Sequence, residues 1–142
     1  MIDQPLVVRK LAMIGEDLKQ LDQFVKMSQA EYLKEQIYQR AAERYLERII
    51  GRMIDVNFHI ITDLGHAPPK DYFNSFLGLA DEQILPREFA KVIAHAAGLR
   101  NRIVHEYDEI DQTKVYEAIK SAVIDIRTYL AHISDYLDRS ET

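Results

Sequence analysis

Along almost the whole chain, apolar residues recur at steps of three and four. The clearest run is Val115, Ile119, Val123, Ile126, Leu130, Ile133 and Leu137, which places one apolar side along more than six helical turns. Earlier, Leu11, Ile14, Leu18, Leu21 and Val25 repeat the pattern, predicting a first helix from about Pro5 to Met27. No segment alternates with period two, so strands are not expected and the fold class is all-α.

Breaks in the periodicity divide the chain. Ser28 and Glu31 have capping-box spacing and mark a second helix start. The next stripe, Leu46, Ile49, Met53, Val56 and Ile60, is widened by Ile50, Ile54 and Ile61. A face that broad belongs to a helix packed on more than one side. Leu64-Gly65 and the pair Pro68-Pro69 end it. A short helix follows from about Asp71 to Ala80. Pro86 has the position of a first helical residue, opening a helix through Phe89, Val92, Ile93, Ala96 and Ile103, and the last helix begins near Asp111. The expected architecture is an antiparallel four-helix bundle with one short additional helix, formed by residues 1–142 as a single domain.

Composition removes several chemistries. The 142 residues contain no cysteine, so thiol nucleophiles, disulfides and cysteine zinc sites are absent. Di-metal carboxylate bundles use Glu-x-x-His on paired helices, and the chain has no such tetrad. The nearest is Asp63-x-x-His66, which straddles a helix end. Neither a metal nor another cofactor is expected. The five glycines form no phosphate-binding loop. No stretch approaches a membrane span and no secretory signal is visible, so a cytoplasmic protein is expected.

The net charge of −5 is unevenly spread. Arg87, Lys91, Arg100 and Arg102 face only Glu88 between positions 87 and 105, giving a basic island on an acidic body. Such an island suits a limited phosphate contact better than long duplex binding. Within it lies RNRIVHEYDEID, Arg100 to Asp111, which sets an arginine, an amide, a histidine and a tyrosine within eight residues. A guanidinium neutralises charge on a phosphorane, an imidazole moves a proton near pH 7, and a phenol accepts a covalent group. Asn101 and His105, four apart on a helix, share a face. Tyr107 is expected beyond the helix end. The spacing alone equally describes a capped helix terminus.

Several segments in order carry a resemblance. MIDVNFHII (Met53 to Ile61), LGHAPPKDYFNSF (Leu64 to Phe76), the ILP before the fourth helix and GLRNRIVHEYDEID (Gly98 to Asp111) together resemble the HEPN superfamily, and within it the HepT-like toxins paired with minimal nucleotidyltransferase antitoxins. The similarity spans roughly Tyr45 to Ile119. It implies a metal-independent ribonuclease in which Arg100, Asn101 and His105 form the family's RN-x-x-x-H pattern, two copies of which face one cleft in a homodimer. It also implies that Tyr107 is adenylylated by the partner nucleotidyltransferase. Asp55 and His59 coincide with the Asp and His of the family's matching segment and are candidates for supporting His105 or meeting RNA. Phe58 stands where many relatives carry a polar residue. Arg87, Lys91 and Arg102 are candidate RNA phosphate contacts. The rival reading is a non-catalytic helical subunit of a nucleotidyltransferase complex that binds nucleotide or RNA in the same cleft.

Overall fold

A computed structural model describes the backbone of residues 4–105 and 111–140, and the side chains of residues 4–99 and 111–140. Among the described residues the regular structure is entirely helical: α1 (Gln4–Lys26), α2 (Gln29–Lys34), α3 (Gln36–Asp63), α4 (Tyr72–Asp81), α5 (Arg87–His105) and α6 (Gln112–Ser140). The four long helices form an up-down bundle in the ring order α1, α3, α5, α6, while α2 and α4 are the short ones. Contacts at each end give the directions. The Gln4 amide donates to Ser140 Oγ at 2.8 Å, and the Tyr116 hydroxyl donates to the Met27 carbonyl at 2.7 Å, so α1 runs antiparallel to α6.

The starts and stops follow the expected chemistry. Ser28 caps α2 by accepting from the Glu31 N–H, and Asp71 caps α4 by accepting from the Asn74 N–H. After α3 the chain turns through Gly65 at φ 91°, and the His66 N–H reaches back to the Ile61 carbonyl at 3.2 Å. This six-to-one bond closes the helix end, and the positive φ explains the glycine. Pro86 sits one position earlier than expected: it precedes α5, and its carbonyl accepts the first helical bond from Ala90. Val92 is another departure. It is half exposed, and the buried line of α5 is Ala90, Ile93, Ala94 and Ala97.

A second short helix, α2, separates from α3 at one extended residue, Glu35 (φ −118°, ψ 113°). The Gln39 amide satisfies the Tyr32 and Leu33 carbonyls freed at that break, at 3.3 and 3.2 Å. Neither glycine nor proline marks the site, so the periodicity runs past it.

The broad face of α3 is buried as its width demands, with Leu46, Ile49, Ile50, Met53, Val56, Ile60 and Ile61 packed between α1, α4 and α5. Burial of these side chains supplies the main stabilisation, about 1.5–3 kcal/mol for each large apolar group. One polar chain crosses this core. The Tyr129 hydroxyl on α6 donates to Asn57 Oδ1 on α3 at 2.6 Å, and the Asn57 amide donates to Ser75 Oγ on α4 at 3.1 Å. Ser75 in turn donates to the Tyr72 carbonyl at 2.6 Å. Three helices are thereby joined through buried groups that satisfy one another.

Candidate active site

Helix α5 carries the backbone through Arg100, Asn101 and His105, ending at His105. Asn101 and His105 are therefore about one turn apart on a continuous helix, as their spacing predicts. The side chains of Arg100, Asn101, Arg102 and His105, and the whole of Tyr107, lie outside the described residues.

What lies around this end of the bundle is described. Leu99, the residue before the motif, is buried in the core. Asp111, near which the last helix was expected to begin, caps α6 by accepting from the Thr113 N–H at 3.0 Å. Gln112, the first residue of α6, donates through Nε2 to Glu43 Oε1 on α3 at 2.9 Å. Glu43 is only 6% exposed, and its other oxygen accepts from Arg40 Nη1 at 3.2 Å. Close by in sequence and space, Tyr32 is fully buried with its ring 5.1 Å from that of Tyr116. Burial, reinforced by Glu43 and partly offset by Arg40, pushes the Tyr32 phenol upward. The Tyr32 hydroxyl and Gln112 Oε1 are both buried without a hydrogen-bond partner. A carboxylate, a guanidinium, an amide and a phenol thus underlie the start of α6.

Asp55 and His59 lie further along α3. Asp55 is twelve residues past Glu43 on α3, about 18 Å along the helix axis. It is exposed and stands 3.7 Å from Lys10 Nζ. His59 Nε2 is buried 2.9 Å from Asp63 Oδ2, an ion-pair distance at an angle outside hydrogen-bonding geometry. At the other end of α5, Arg87 pairs with Asp81, and Lys91 lies 3.4 Å from Glu88. Arg87 is about 27 Å from His105 along the helix. Among the described residues no group of three or more His, Asp or Glu is placed to hold a metal ion. No described helix is long and apolar enough to cross a membrane.

Sequence reasoning overlooked two buried acids, Glu43 and Asp17. Each stands within an apolar stripe of its own helix: Glu43 precedes Leu46 and Ile50, and Asp17 lies beside Ile14, Leu18 and Leu21. Carboxylates at core-facing positions were the available signal.

Residues 14–133 match the family described as Ribonuclease HepT-like. The chain belongs to the HepT-like ribonuclease family. It is 38% identical over 136 residues to the tRNA nuclease HepT of Aphanizomenon flos-aquae, covering 96% of this chain and 92% of that protein. The fold also matches a tri-AMPylated Shewanella oneidensis HEPN toxin solved in complex with an MNT antitoxin, at a TM-score of 0.84 and 23% identity. That match covers 95% of this chain and 99% of the toxin. YutE of Bacillus subtilis, described as a cytosolic protein of unknown function, has the same fold at a TM-score of 0.82 and 18% identity, covering 98% and 93% of the two chains. The antiparallel bundle expected from the sequence is seen, and Arg100, Asn101 and His105 lie on the closing turns of α5.

Proposed function

We propose that this HepT-like protein is the ribonuclease toxin of a toxin–antitoxin pair, cleaving tRNA in the cytoplasm without a metal ion. The observation that carries the reading is Arg100-Asn101-x-x-x-His105 on the closing turns of α5, in a chain similar over nearly its full length to a tRNA nuclease. His105 serves as the proton carrier. As base it removes the ribose 2′-hydroxyl proton while that oxygen attacks the adjacent phosphorus. The bond from phosphorus to the 5′-oxygen then breaks, and that oxygen takes a proton from an acid. Arg100 stabilises the phosphorane charge, and Asn101 orients His105 or holds a phosphate oxygen.

One histidine cannot be base and acid in the same step. A homodimer whose two motifs share a cleft supplies both, leaving a 2′,3′-cyclic phosphate and a free 5′-hydroxyl. Tyr107 is the regulatory residue. A minimal nucleotidyltransferase antitoxin transfers AMP from ATP to its phenol oxygen, with pyrophosphate leaving. The adduct places bulk and negative charge where RNA phosphate must enter. The tri-AMPylated state of the Shewanella toxin supports this form of control.

The test is cleavage of tRNA in EDTA by the wild-type protein and by His105→Ala, purified identically and shown by mass to lack an adduct on Tyr107. Wild-type cleavage to cyclic-phosphate ends is expected, with a loss of about 10²–10⁴-fold in the variant. Equal cleavage by both proteins, or a requirement for Mg²⁺, overturns the mechanism. Absence of cleavage by folded wild type favours the non-catalytic binding subunit instead.

A further inference from the structure

Four arginines, Arg40, Arg44, Arg48 and Arg52, recur every fourth residue along α3. Successive members are about 6 Å apart along the axis, so the row extends about 18 Å. All four reach solvent in part, most of all Arg44, whose side chain is 69% exposed. The row begins beside the motif end: Arg40 binds Glu43, and Glu43 holds Gln112 at the start of α6.

The middle of the row is built differently from an ordinary solvated helix face. Arg48 and Arg52, from successive turns, both converge on the single buried carboxylate of Asp17 on α1, Arg48 at 3.4 Å. That carboxylate fixes two forks and neutralises one. The groove they line also contains Gly51, Ile54 and Asp55, and Asp55 faces Lys10. Counting Lys10, three cations stand against two carboxylates there, in a chain whose overall charge is −5. Gly51 presents no side chain between the two arginines, and nothing lies within 4 Å of where a Cβ would stand. The floor between the forks is open.

We infer that the Arg40–Arg52 row on α3 is a phosphate track that carries substrate RNA away from the cleavage motif, with Arg44 and Arg48 as its principal contacts. This rests on the ribonuclease reading and adds a second contact region to it. Guanidinium forks held by a buried acid need little reorganisation to meet a phosphate, and Arg does so with two parallel hydrogen bonds. The track makes binding of a long RNA tighter than the motif alone provides, and it is blind to base sequence.

The test uses the full chain with His105→Ala, so bound RNA stays intact, and unfractionated tRNA as the probe. Affinity is measured from about 50 to about 300 mM KCl, with and without Arg44→Ala and Arg48→Ala. The pair is expected to weaken tRNA binding about tenfold and to make the slope of log K against log salt shallower by about one to two. Binding of the trinucleotide UpUpU, whose two phosphates stay at the motif and the near end of the row, is expected to stay the same. Arg44→Ala alone, whose ion pair is with the half-buried Glu47, serves where the pair perturbs folding and should show about half the slope change. An unchanged slope, equal losses for tRNA and trinucleotide, or a change in sedimenting mass each overturns the track; the last makes this face a contact between copies. Failure of wild type to cut RNA would sink the ribonuclease reading separately, leaving the salt slope to judge the track.

Discussion

Gln112 and Glu43 are 69 positions apart in sequence and 2.9 Å apart in space, the amide donating to a carboxylate buried in the bundle. Through this bond α3 holds the first residue of α6, and so anchors the chain that returns from the motif-bearing end of α5.

Replacing Glu43 by Ala removes the partner of Gln112 Nε2 and one partner of Arg40. Buried donors left without acceptors cost about 1–3 kcal/mol. The expected result is a lower urea midpoint at unchanged m-value, with ribonuclease activity reduced even where the variant remains folded. Glu43→Gln keeps one acceptor oxygen and should recover part of the stability. Full activity in folded Glu43→Ala would show that the anchor has no bearing on cleavage.

Alkaline pH should unfold the protein earlier than a bundle without buried phenols. Burial raises the Tyr129 phenol well above its ordinary value of 10.0, and Tyr32 is raised for the same leading reason. Both remain protonated when folded, while their unfolded counterparts ionise from about pH 10. Stability from these groups is therefore complete below pH 10 and lost as pH rises toward the folded-state values. Denaturation from pH 8 to 11 is expected to show a decline that flattens in Tyr129→Phe. That variant should start less stable by about 1–3 kcal/mol, because Asn57 Oδ1 loses its donor. A decline of the same steepness in both proteins would assign it to other groups.

Tyr107→Phe is expected to keep ribonuclease activity and to resist its antitoxin. Incubation with a cognate nucleotidyltransferase and ATP should add AMP mass to the wild type, while the variant stays unmodified at this position and active. Inhibition of the variant to the wild-type extent would remove Tyr107 as the control point.

Helix existence was legible because apolar spacing and local caps are written in consecutive residues. Ser28, Gly65 and Asp71 each act within a few positions of themselves: Ser28 and Gly65 are found in their expected roles, and Asp71 caps the helix expected to begin there. The break at Glu35 was not, since Gln39 rescues the freed carbonyls from outside the break without any glycine or proline. Val92 fits the α5 stripe by spacing yet is half exposed, because the buried line of α5 runs through Ala90, Ile93, Ala94 and Ala97 instead. At the site, Arg100, Asn101 and His105 could be singled out by chemistry and resemblance. Glu43 and Gln112 could not, because their meeting depends on the relative placement of two helices far apart in sequence.

The chain from Tyr129 through Asn57 and Ser75 to Tyr72 gives the bundle a key as well as a core. Apolar stripes tolerate slippage by a turn, since one aliphatic contact can replace another. This row of polar groups does not: a one-turn slide of α6 against α3 would strand a phenol and an amide in a dry interior. The register of α6 against α3, and with it the place where Gln112 meets Glu43, is thereby set like a notch on a rule.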